Sequence, residues 1–251
     1  MFGKELPVMD HIGELRKRVL WSALFFVLAM VVGLAVGIQI IQYLTSVEPV
    51  KGLDLNAFSP WDGIRIYMQV ALYVSFAISL PFILFQVWLF VKPGLRKEEQ
   101  KASLLYIPAA VILFFMGLSF AYFLVFPMAF YFTGVMTRSL GLIQTYGLAQ
   151  YFTFMFNILL PVSLVFELPI VVMFLTKLRI LNPARLSRLR RYAYLVLFIT
   201  SALITPPDLI SAIIVSIPMI VLYEISLLLS RSIYRRQQAA DQAWEVEFGE
   251  K

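Results

Sequence analysis

The chain has 251 residues, 61% of them hydrophobic and only 14% charged, with a formal net charge of +6. Soluble domains are about 45–50% apolar and about 25% charged, so 21 basic and 15 acidic side chains are too few to cover a water-soluble globule of this length, and the composition is that of an integral membrane protein. The absence of Cys and the single His exclude disulfides, thiolate chemistry and His-rich metal clusters, so neither a metal nor a cofactor is expected.

A helix rises about 1.5 Å per residue, so about 20 residues cross about 30 Å of hydrocarbon. Long stretches poor in charge set six expected spans, at about 19–44, 66–91, 103–133, 150–177, 192–205 and 209–230, in an all-α chain read as one membrane domain over 1–251. Ahead of the first span lies His11-Ile12-Gly13-Glu14-Leu15-Arg16-Lys17-Arg18. There Asp10 is placed to cap a helix, the early acid suits the helix dipole, and the basic end meets the headgroups. The first span exceeds the roughly 7 to 15 apolar residues of a removable signal, so it is expected to be kept. Gly33 and Gly37 within it make a small-xxx-small pair, a helix-packing pattern.

The next segment, 44–65, holds Pro49, Gly52, Asn56, Pro60 and Gly63 and reads as a cap of turns, not a domain. Between the second and third spans, Phe90-Val91-Lys92-Pro93-Gly94-Leu95-Arg96-Lys97-Glu98-Glu99-Gln100-Lys101 sets acids inside a basic loop. The third span is longer than a crossing needs and is expected to tilt or to extend beyond the bilayer. The fourth contains Glu167 between Pro161 and Pro169, which can kink the helix and free carbonyls. The last two spans are expected to be short, since Tyr192 to Thr205 is 14 residues and Glu224 interrupts the sixth. They join through Thr205-Pro206-Pro207-Asp208, a tight turn.

Basic residues give the orientation. Eighteen of the 21 precede the first span, lie between spans two and three or four and five, or follow the last, whereas Lys51, Arg65 and Arg138 occupy the opposite side. Positive-inside logic then makes both termini cytoplasmic and accounts for the +6 without nucleic acid.

Among ionisable groups, Glu167 lies ten residues before Lys177, about 15 Å along a helix and near mid-depth. An acid there marks a functional site or, failing that, a protonated packing contact. Glu224 is seven residues before Arg231 and can reach headgroups or a basic partner, which favours a structural role. Positive-inside logic does not explain the acids of the first basic loop. They suit bidentate capture of a guanidinium, and equally suit surface pairs with their Arg or Lys neighbours. No G-x-S-x-G, H-E-x-x-H, P-loop or G-x-G-x-x-G occurs, so binding or conduction is favoured over catalysis.

These segments resemble TatC, the multi-spanning receptor subunit of the twin-arginine protein translocase, over nearly the whole chain. His11 to Arg18 resembles that family's N-terminal H-L-x-E-L-R-x-R motif, and Gln86-Val87-Trp88-Leu89-Phe90-Val91-Lys92-Pro93-Gly94-Leu95 with Glu99 resembles its first cytoplasmic loop. Gly117-Leu118-Ser119-Phe120-Ala121-Tyr122-Phe123-Leu124-Val125-Phe126-Pro127 resembles its third helix, and Phe166-Glu167-Leu168-Pro169 and Leu203-Ile204-Thr205-Pro206-Pro207-Asp208 complete the set.

The resemblance implies a non-enzymatic receptor in the bacterial inner membrane that binds the RR signal peptides of folded cargo. It implies Glu14 and Glu99 as acceptors of the twin arginines, with Arg16, Arg18, Phe90 and Leu95 shaping the same cytoplasmic site. It implies Glu167 as the polar intramembrane residue, and matches Pro49 and Asp208 to family positions in the loop and hairpin. Its implied partners are single-span TatA and TatB type subunits, further copies of the chain and membrane lipids, with transport driven by the proton gradient. Ala212 stands where some relatives carry a polar residue. Two rival readings are a small secondary transporter coupling through Glu167 and Asp208, and an intramembrane protease; the chain shows neither clear repeats nor a nucleophile–base pair.

Overall fold

The computed structural model describes residues 8–47, 55–94, 100, 103–143, 145–205 and 209–248. In chain order these form α1 (Val8–Ser46), β1 (Leu55–Asn56), α2 (Asp62–Val91) with a 3-10 turn at Lys92–Gly94, α3 (Tyr106–Phe120), a π turn (Ala121–Val125), α4 (Phe126–Ser139), β2 (Tyr146–Gly147), α5 (Leu148–Val165), α6 (Leu168–Lys177), α7 (Pro183–Arg188), α8 (Arg190–Ile204) and α9 (Leu209–Phe248). Helix dominates because hydrocarbon leaves each backbone N–H and C=O to find its partner within the segment. Among the described residues five helical stretches are long and apolar enough to cross a membrane: Ile12–Ser46, Asp62–Gly94, Tyr106–Ser139, Leu148–Lys177 and Ala212–Ala239. The chain is thus an all-α, multi-spanning membrane protein. It divides into two compact units, Met1–Arg96 with Ser119–Leu160, and Lys97–Leu118 with Pro161–Lys251.

In the first unit α1 packs along α2, and the two glycines allow the approach. A Cβ on Gly33 would lie 2.4 Å from the Ala71 carbonyl oxygen, and one on Gly37 would lie 3.1 Å from the Tyr67 ring. Tyr67 also donates its hydroxyl to the Leu34 carbonyl at 2.6 Å. Aromatic side chains extend the packing, with Phe25 stacked on Phe82 at 4.3 Å and Tyr73 on Phe156 at 4.0 Å. Phe126 meets Tyr151 edge to face at 5.5 Å, a geometry the ring quadrupole favours.

The cap of turns holds one element that apolar patterning could not reveal. Leu55 and Asn56 pair in parallel with Tyr146 and Gly147, joining the loop after α1 to the loop after α4. Gly147 is needed there, because a Cβ would come within 2.7 Å of the Phe58 ring. Asp62, at the start of α2, accepts from the backbone N–H groups of Phe58 and Ser59 at 2.9 and 3.0 Å, fixing the entry to the helix. Pro49 lies outside the described residues.

In the second unit α9 packs on α6, α7 and α8. Thr176 and Ser230 share a buried hydrogen bond of 2.7 Å, and Gln237 donates to the Lys177 carbonyl at 2.9 Å. Ser201 donates to the Ala212 carbonyl at 3.0 Å, so this α8–α9 contact needs no polar side chain at position 212. The segment expected as a short fifth span forms α8, 15 residues or about 22 Å long, and is not among the five stretches long enough to cross. The sixth helix corrects its expectation. The short span expected at about 209–230 is the first part of a longer helix: α9 runs unbroken for 40 residues, with an apolar stretch at Ala212–Ala239, and Glu224, a good helix former, sits inside it without ending it. Asp208 and the two prolines before it lie outside the described residues.

Candidate functional site

The N-terminal end of α1 and the C-terminal end of α2 carry the first group of predicted residues. Glu14 and Arg18 are four apart on one helical face, the spacing at which an acid and a base meet. Arg18 Nη2 donates to Glu14 Oε1 at 3.1 Å, with the two side chains only 24% and 25% exposed. Arg18 Nη1 reaches across to Gln86 Oε1 of α2 at 3.4 Å, and Arg18 Nε is buried with no partner. Gln86 is itself buried. It opens the Gln86-to-Leu95 segment, in which nothing about residue type or spacing marks it out.

Arg16 and Lys17 are exposed, whereas Phe90 is half-buried and sits one turn beyond Gln86 on the same face of α2. Lys92 closes the helix with its ammonium 5.2 Å from the centre of the Trp88 ring, a cation–π contact. The structure therefore brings Glu14 and Arg18 together and adds Gln86. Leu95 and Glu99 lie outside the described residues.

Glu167 occupies a different setting. The fourth span does not kink smoothly but breaks, with Phe166 and Glu167 forming a turn between α5 and α6. Pro169 at the head of α6 has no N–H to give the carbonyl four residues earlier, so the chain reopens there. Glu167 N–H donates to the Leu164 carbonyl at 3.1 Å and its own carbonyl accepts from Val171 at 3.0 Å. The residue is 8% exposed, and Oε1 is buried with no hydrogen-bond partner among the described residues. Within the same unit the turn is held by Gly117 of α3, where a Cβ would lie 2.7 Å from Phe166 Cγ. A buried, unsatisfied carboxylate oxygen costs about 1–3 kcal/mol, which is a reason to look for a ligand that completes it.

Glu224 behaves as its position suggested. Arg190 Nη2 pairs with Glu224 Oε2 at 2.9 Å, and the Tyr194 hydroxyl donates to Oε1. Both carboxylate oxygens are thereby engaged, and the residue serves to hold α8 to α9.

Comparison with known proteins gives one consistent result. The model of the family "Sec-independent protein translocase protein (TatC)" matches residues 10–218. The Sec-independent protein translocase protein TatC of Halalkalibacterium halodurans is 43% identical, covering 98% of this chain and 97% of its own. TatCy of Bacillus subtilis is 41% identical over 95% of this chain and 94% of its own. A crystal structure of a twin arginine translocase receptor, TatC, superposes with a TM-score of 0.75 at 29% identity, covering 89% of this chain and 99% of that one. A second crystal structure of such a receptor, in DDM, superposes with a TM-score of 0.77, covering 88% and 99%. With the buried carboxylates and the helix order in place, these matches show that the chain belongs to the TatC family, the multi-spanning component of the Sec-independent protein translocase.

Proposed function

We propose that this chain is the core receptor of a twin-arginine translocase in the bacterial inner membrane. It binds the RR signal peptides of folded proteins on its cytoplasmic face and nucleates a transport complex driven by the proton gradient. The observation that carries this reading is Glu14, a half-buried carboxylate already holding a guanidinium through Oε1. A site that accommodates Arg18 has the dielectric and geometry to accommodate a signal arginine.

Glu14 and Glu99 are the arginine acceptors, Arg16, Arg18, Phe90 and Leu95 complete the site, and Pro49 and Asp208 act in the loop and hairpin on the far side. Two carboxylates read two arginines, each charge-assisted bond contributing about 1.5–3 kcal/mol in a partly desolvated site. Lysines keep the charge and lose the fork, so KK signals bind less well. Six helices of this length cannot enclose a pore for a folded protein, so single-span TatA and TatB type subunits, with further copies of this chain, assemble around it.

The experiment that tests the function is photocrosslinking. A benzoylphenylalanine at position 90 should crosslink to an RR precursor and not to its KK counterpart; equal yields for both would overturn the assignment. The six spans read from the charge-poor stretches put both termini on one side, and the basic asymmetry makes that side cytoplasmic. Tags at Met1 and Lys251 should survive a periplasmic protease, and cleavage of either tag in sealed cells would contradict that topology.

A further inference from the structure

We infer that Gln86 is a positioning residue of the signal site, one that shares Arg18 with Glu14 and so sets how readily the Glu14 carboxylate is released to a signal arginine. The inference rests on the reading of Glu14 as an arginine acceptor.

Arg18 is the same chemical group as the proposed ligand, and it already takes Glu14 Oε1 at 3.1 Å. A signal guanidinium that closes on both oxygens in fork geometry needs that oxygen back. Arg18 must therefore yield, and a half-buried guanidinium cannot simply lose an acceptor. Among the described residues its other acceptor is Gln86 Oε1, at 3.4 Å, while Nε is buried with none.

The identity of Gln86 suits this task. A guanidinium only donates, so the amide must present its carbonyl oxygen. Being neutral, that oxygen holds Arg18 more weakly than the carboxylate does, and 3.4 Å is at the long edge of a hydrogen bond. Arg18 consequently rests on Glu14 and has a second place to go when a stronger claimant arrives. The buried position of Gln86 on α2, a different helix from the one bearing Glu14, keeps that second acceptor in place.

Two substitutions of opposite sign test this, using the full chain in lipid nanodiscs and a fluorescent RR signal peptide. Gln86→Leu removes the alternative acceptor and should weaken RR binding about tenfold, equivalent to about 1.4 kcal/mol. Gln86→Glu offers Arg18 a full charge, draws it from Glu14 and should strengthen RR binding severalfold. That gain should disappear in a Glu14→Gln background. If Leu and Glu weaken binding alike, as loss of packing would require, or if neither moves it, the inference is wrong. It is also wrong if the gain from Gln86→Glu persists without Glu14, because the new carboxylate would then be the acceptor itself. Glu14→Gln alone separates the two levels: a weaker RR complex upholds the site while Gln86 is judged on its own variants, and an unchanged complex overturns the site reading and this inference together.

Discussion

Glu167→Ala is expected to cut export of a twin-arginine substrate more than about tenfold while leaving the thermal stability of the isolated chain within about 2 °C of the parent. Two terms of similar size cancel in the isolated protein. Deleting the side chain relieves the desolvation of a buried oxygen that has no partner, about 1–3 kcal/mol, and opens a cavity that costs a comparable amount. For about 250 residues each kcal/mol moves Tm by roughly 2–4 °C, so the net shift is small.

Function has no such compensation if the oxygen is kept open for a partner helix or the signal helix. RR-peptide binding should be unchanged, since the proposed arginine acceptors lie at the other site, around Glu14, and recruitment of the single-span subunits should fall with export. Glu167→Gln should retain the larger share of activity, because an amide preserves a hydrogen-bonding head of the same size. Co-purification of the small subunits and Tm in detergent check both arms. Normal export from the Ala variant, or a Tm loss of 10 °C or more, would make the acid a packing residue.

The second large effect belongs to the proposed arginine acceptors, Glu14 and Glu99. Glu14→Ala removes half of the proposed carboxylate pair and also leaves Arg18, 24% exposed, with the Gln86 oxygen at 3.4 Å as its acceptor among the described residues. RR binding is expected to drop about tenfold to a hundredfold, the range set by one charge-assisted bond. Glu99→Ala should act comparably, and Glu99→Gln should do nearly as much harm because the charge is what the fork grips. Membrane insertion should be intact in all three, measured by carbonate extraction alongside peptide binding.

Much of this molecule is written in its apolar runs, because hydrocarbon thickness sets a minimum length of about 20 residues for a crossing helix. Gly33 and Gly37 were legible for a related reason: a missing Cβ lets α1 lie against the Ala71 backbone at Gly33 and close to the Tyr67 ring at Gly37. What the sequence concealed was polar and local. Asp62 capping Phe58 and Ser59 looks like any loop acid, and two-residue strands carry no periodicity to detect. The π turn at Ala121–Val125 sits inside an apolar run that gives no sign of it.

At the candidate site, the Glu14–Arg18 spacing of four residues carries the signal of an ion pair, although the segment reads first as an acid suiting the helix dipole ahead of a basic end. Gln86 carries no such signal, since its value comes from a helix crossing that brings residues 18 and 86 within one hydrogen bond. The same holds for the sixth helix, where Glu224 looks like an interruption and its partners Arg190 and Tyr194 come from another helix.

The central claim is that paired carboxylates read paired arginines, and one titration tests it most directly. Fluorescent RR and KK signal peptides are titrated into the full chain in nanodiscs, for the parent and for the double variant Glu14→Gln/Glu99→Gln. The account predicts that the parent prefers RR by about tenfold or more and that the double variant binds both peptides weakly and equally. A parent that binds RR and KK alike, or a double variant that keeps the parental preference, would contradict it.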